Sequence, residues 1–132
     1  MTKKLFAILG MAAGVLALSA PVLAHHGGAA YDTAKSVTVK GTVVEFQFMN
    51  PHCQLFVEAP DENGKPVKWD GEFTNPGALH RRGWTKEMFK PGDPITMTGN
   101  RAKNGSLVLR VLKVGLADGR TLTALGGDDE NY

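Results

Sequence analysis

The sequence predicts a mostly β domain, a small five- to six-stranded OB-like Greek-key barrel with one short helix between its third and fourth strands. Three observations predict it. Short runs of alternating apolar residues recur from Val37 onward, and Asn-Gly, Pro-Gly and Asp-Gly turns separate them. One capped helical segment interrupts the series, after the third run. Strand, strand, strand, helix, strand, strand is the order of an OB-type barrel. A small open β-sandwich is the alternative arrangement of the same elements.

The residues justify each element in turn. Residues 1–24 read as an export signal: Lys3 and Lys4 precede an apolar run from Leu5 to Leu18, and Ala24 ends a stretch of small residues. That run is too short and wrongly flanked for a membrane span, so no membrane insertion is expected after cleavage. Residues 25–36, rich in glycine and alanine, read as an extended arm. The barrel domain is expected over 37–125. Its first strand carries Val37, Val39 and Val43 on one face, then Val44, Phe46 and Phe48, a slip of period near Gly41 that predicts a bulge or bend. In the second strand Cys53, Leu55, Val57 and Ala59 share one face, and His52, Gln54, Phe56 and Glu58 share the other.

A hairpin at Asn63-Gly64 leads to the third strand, with Val67, Trp69, Gly71 and Phe73 on one face. Asn75-Pro76 opens a short helix that Gly83 stops, and Trp84 then covers the open end of the core. Ile95 to Gly99 and Leu107 to Leu116 are the fourth and fifth strands, the fifth apolar on both faces. Arg120 to Leu125 is a short last strand. The acidic, glycine-rich tail, 126–132, is expected to be disordered.

Charge narrows the class of partner. Lys3 and Lys4 fall in the leader, so the thirteen remaining Lys and Arg balance thirteen Asp and Glu. A neutral domain is a poor match for nucleic acid, which needs clustered positive charge. An unidentified periplasmic protein or a small molecule is the expected partner. Cys53 is the single cysteine, so no internal disulfide forms.

Four histidines follow the leader: His25, His26, His52 and His80. Cleavage after Ala24 would make His25 the first residue, and its α-amino group and ring nitrogen form a two-point clamp. A third nitrogen opposite, from His52, completes a T-shaped set suited to Cu(II). His26 is an auxiliary ligand, and Met49 and Cys53 are possible further ligands that suit Cu(I). Tyr31, Asp32 and Asn50 stand where they can support the site. Each has a plainer reading. His52 can be a turn residue bonded to a backbone carbonyl, Cys53 a buried hydrophobe, and Tyr31 a peg that packs the arm on the barrel. A non-metal ligand face around Gln54, Phe56 and Trp69 is the competing function. Asp70 and Glu72 share a face, with Glu58 across from them, but polar strand faces commonly carry such residues and no catalytic set stands out. The expectation is a periplasmic copper-binding protein rather than an enzyme.

Ala24-His25-His26-Gly27 with Tyr31-Asp32, Gly41 to Glu45, Asn50-Pro51-His52, Leu79 to Trp84, Pro91-Gly92-Asp93 and Asp118-Gly119-Arg120 together resemble a family of small exported bacterial proteins classed only as a domain of unknown function. The family pattern has serine after the histidine pair, where this chain has Gly27. The resemblance implies an exported β domain and no particular activity. A looser similarity, confined to His25, links the chain to periplasmic copper carriers and copper oxygenases that begin with histidine.

Overall fold

The computed structural model describes residues 28–125. They form a 3-10 turn at Gly28–Ala30, six strands and one helix: β1 (Tyr31–Gln47), β2 (Gln54–Pro60), β3 (Pro66–Glu72), α1 (Pro76–Arg81), β4 (Pro94–Ala102), β5 (Val108–Leu116) and β6 (Thr121–Thr123). The element order and the position of the helix are those the sequence predicts. β1 lies between β2 and β4, β4 pairs with β5, and β5 returns to pair with β3, which closes the ring. The β3–β5 pairing is parallel, through Asp70–Glu72 and Val108–Arg110; the other pairings are antiparallel. This is the OB-like barrel rather than an open sandwich. β6 adds to β5 outside the ring. Among the described residues, no helix is long and apolar enough to cross a membrane.

One strand serves both halves of the ring. Ser36 to Thr42 of β1 pair with β4, and Thr42 to Gln47 pair with β2. Gly41 stands at the handover because nothing larger fits: a Cβ there would lie 2.2 Å from the Glu58 carbonyl oxygen. The expected irregularity falls slightly later than Gly41, between Val43 and Glu45. The start of β1 is a correction to the expected arm. The strand begins at Tyr31, which pairs with Ala102, and the register breaks between Tyr31 and Ser36. Across that break the Asn100 side-chain amide donates to the Lys35 carbonyl at 3.0 Å. Thr33 to Ser36 are exposed, so this part of β1 needs no apolar alternation and shows none.

The core follows the period-two pattern. Cys53, Leu55, Val57 and Ala59 are buried before and along β2, and Phe73 after β3. β5 buries Leu109 and Val111, then Val114, because a bulge against β4 at Thr98/Gly99 resets the phase. That reset is why β5 reads as apolar on both faces. The skipped residue, Leu112, turns its carbonyl to the Ala124 amide at 2.8 Å.

α1 starts as predicted. The Asn75 side chain accepts from the Ala78 amide at 2.9 Å, with Pro76 in the first turn, and Gly83 takes φ +84° just past the end. The chain then drops Trp84 into the barrel end, fully buried, with its indole N–H donating to the Thr123 carbonyl at 3.0 Å. Phe46, Phe73 and Phe89 surround it at ring separations of 6.4, 5.2 and 5.8 Å. This aromatic plug fixes Phe73, and with it the last backbone carbonyls of the third strand. Those carbonyls carry the site.

Candidate functional site

Four stretches meet at one rim of the barrel: the start of β1, the turn before β2, the end of β3 and the first residues of β5. Backbone bonds anchor the turn to the end of the third strand. Cys53 N–H donates to the Thr74 carbonyl at 3.1 Å, and Phe73 N–H donates to the Cys53 carbonyl at 2.9 Å. This ladder places His52, which follows the cis Asn50-Pro51 peptide, over the end of β3. His52 Nδ1 then lies 3.1 Å from the Phe73 carbonyl oxygen. A carbonyl only accepts, so Nδ1 carries the proton, and in the neutral ring the lone pair sits on Nε2.

Glu72 joins His52 to the start of β1. Its Oε1 is 3.9 Å from His52 Nδ1, and its Oε2 accepts the Tyr31 hydroxyl. Tyr31 is buried. Burial first, then the bond to Glu72 and the charges of Glu72 and Asp70, push the phenol well above its ordinary pKa, while Arg110 pulls the other way. Arg110 comes from β5, where it stands beside Glu72 in the parallel ladder. Its guanidinium also lies against the backbone of Gly28, where a Cβ would be 2.7 Å from Nη1. Tyr31, His52, Glu72, Asn75, Arg81 and Arg110 line a cleft of about 370 Å³.

Asp70 lies one step along the same face. One carboxylate oxygen accepts from the Gln54 amide at 2.9 Å, and the other is buried without a partner. Burial, then the neighbouring Glu72, raise its pKa. Glu58 is further off: it stands opposite Lys68 and is exposed. The three carboxylates therefore do not form one group.

The remaining predicted residues are dispersed. His25 and His26 lie outside the described residues. Asp32 accepts the Ala34 amide at 3.1 Å, a bond within its own strand. Asn50 is exposed on the turn, and Met49 beside it is 55% exposed. Cys53 is fully buried with the core residues of β2, and burial raises its thiol pKa, the chemistry of a small core side chain. His80 is exposed on α1. Among the described residues, no group of three or more His, Cys, Asp or Glu stands ready to hold a metal ion.

The register corrects the proposed ligand face of Gln54, Phe56 and Trp69. Trp69 pairs with Val57 and packs on the core side, whereas Phe56 pairs with Asp70 on the outer side. Directly opposed residues share a face, so the three cannot form one surface. Each ring also carries its own cation contact, Phe56 with the Lys68 ammonium at 4.3 Å and Trp69 with the Arg101 guanidinium at 5.4 Å.

Two rim residues escaped the sequence reading. Glu72 was visible only as half of a carboxylate pair, and Arg110 not at all. The available signal for Arg110 was a lone charge inside the apolar run Val108 to Leu112.

No curated protein matches the chain. Residues 12–109, which take in β1 to β4 and α1, match DUF6152, a family of unknown function, and the chain belongs to that family.

Proposed function

We propose that the protein is an exported, periplasmic copper-binding protein. Its ligands are the α-amino group and ring of His25 and the Nε2 of His52, with His26 as an auxiliary. The observation that carries this reading is the position of Gly28. It lies against Arg110 in the wall of the cleft that His52 lines. Two residues, His26 and Gly27, separate Gly28 from His25, three Cα steps that reach at most about 11 Å. On this reading the short connection brings His25 to the cleft that His52 and Arg110 line.

The chemistry is consistent with that placement. Three nitrogens favour Cu(II) among divalent ions. The Phe73 carbonyl leaves His52 with its lone pair on Nε2, the atom a metal would take. Cys53 contributes no ligand in this reading because its thiol is buried in the core. Met49 remains on the surface of the same turn as an optional soft donor.

Isothermal titration of the processed protein with Cu(II) tests the proposal. One-to-one binding is expected, weakening at acid pH because the amine and rings must shed protons to coordinate. An added residue before His25 and, separately, His52→Ala should each reduce affinity by tenfold or more, as loss of one nitrogen from a three-nitrogen set implies (about 1.4 kcal/mol or more). Unchanged affinity in the extended protein would refute the terminal clamp.

A further inference from the structure

We propose that Glu72 is the positioning residue of this site, holding the His52 ring and the start of β1 in one arrangement. The inference rests on the copper reading for its purpose, but its geometry stands on the described residues alone. The Glu72 side chain reaches both partners. One oxygen accepts the Tyr31 hydroxyl, and the other lies 3.9 Å from His52 Nδ1.

The consequences for His52 are electrostatic and steric. A carboxylate beside Nδ1 favours the proton there, in concert with the Phe73 carbonyl at 3.1 Å. Nε2 is then the coordinating atom, and a more electron-rich one. Metal-bound histidines are commonly held this way, by a carboxylate or carbonyl on the far nitrogen. The consequence for the chain is a fixed point of departure. Tyr31 is buried and tied to Glu72 across 41 residues of sequence, so the segment that leads back to Gly28 starts from the rim. Arg110, next to Glu72 in the β3–β5 ladder and against Gly28, fixes the same segment from the other side.

Glu72 itself is a rigid support. It is the last residue of β3, paired with Gln54 on one side and Arg110 on the other. Its side chain is 21% exposed, so it is partly shielded from water without being buried outright. The sequence pointed to Tyr31, Asp32 and Asn50 as supports. The geometry shifts that role to Glu72, with Tyr31 acting through it.

The test uses the processed protein and two readouts. Long-range proton–nitrogen spectra of the metal-free protein report the His52 tautomer, and Cu(II) titration reports affinity. Wild type should show the Nδ1-protonated form. Glu72→Ala should move the His52 ring nitrogen signals away from their wild-type positions and weaken Cu(II) binding by about 10- to 100-fold. Glu72→Gln keeps an acceptor for Tyr31 but removes the charge, and should fall between the two. Thermal melts confirm that each variant is folded, and Glu72→Gln carries the test if Glu72→Ala is not. Ring signals and affinity both unchanged in a folded variant would overturn the proposal. If wild type binds no copper, the copper reading fails; unaltered ring signals in the variants would then overturn the Glu72 role as well, and altered ones would sustain it.

Discussion

The two faces of the β2–β3 hairpin differ in what they tolerate. Inward, Leu55, Val57, Ala59 and Gly71 are buried and fill the barrel with no space to yield. Outward, Gln54, Phe56, Asp70 and Glu72 are half-buried and joined by polar contacts that stop short of saturation, since one Asp70 oxygen has no partner. The inner face is close-packed, so a change of one methyl group is felt as stability. The outer face is half-buried and charged, so substitutions there should cost less stability. Residues adjacent in sequence thus obey different physics: Cys53 is core and His52 lines the cleft.

Mutations can break that contrast, starting with the plug that anchors the inner face. Trp84→Ala removes a fully buried indole and strands the Thr123 carbonyl, and should cost about 3–5 kcal/mol in urea unfolding. A loss under 1 kcal/mol would mean the barrel end collapses onto the space. Gly71→Ala comes next. Its Cβ would stand 2.3 Å from Met97 Sδ and 2.9 Å from Val111 Cγ2, so overpacking of about 1–3 kcal/mol is expected. A neutral result would show that Met97 swings aside, and that the inner face is softer than its burial implies.

On the outer face, Tyr31→Phe deletes the hydroxyl bond to Glu72 while keeping the ring. About 1 kcal/mol should be lost, because Glu72 retains contact with water. A cost as large as that of Trp84→Ala would erase the distinction between the faces.

The smallest effect has the opposite sign. The Asp70 carboxyl is raised in the folded protein, so between its ordinary range and that raised value the folded state binds more protons than the unfolded one. Its contribution to stability is therefore greatest at acid pH and declines as pH rises through that window. Asp70→Asn can keep its bond to Gln54 and has no charge to desolvate. Melting temperatures across pH should show that variant slightly more stable than wild type at neutral pH, with this part of the slope gone. An unchanged slope would remove Asp70 as its source.

The inner face was the legible one. Period-two alternation named Cys53, Leu55, Val57 and Ala59 as one surface, and the turn chemistry of Asn75-Pro76 and Gly83 bounded α1, because both signals are local. The rim is not local. Tyr31, His52, Glu72 and Arg110 come from four separate stretches, and only strand register sets Glu72 beside Arg110. Register also decided against the Gln54–Phe56–Trp69 face, since a strand read alone shows which residues alternate but not which face its neighbour presents. The early start of β1 was hidden for a further reason: exposed residues carry no hydrophobic period, and the Asn100 amide that bridges to Lys35 has no sequence signature.

The parallel pairing of β3 with β5 has a consequence in time as well as space. It is the contact that closes the ring, and it joins stretches with a helix and β4 between them, so the entropy of closing that loop must be overcome before it forms. Hairpins such as β2–β3 can form from neighbouring sequence alone. The pairing of Glu72 with Arg110 cannot, and the cleft beside His52 has no wall until it exists. A nascent or unfolded chain therefore carries His52 without the cleft that it lines in the folded protein. Ring closure is the event that gives the His52 ring its surroundings.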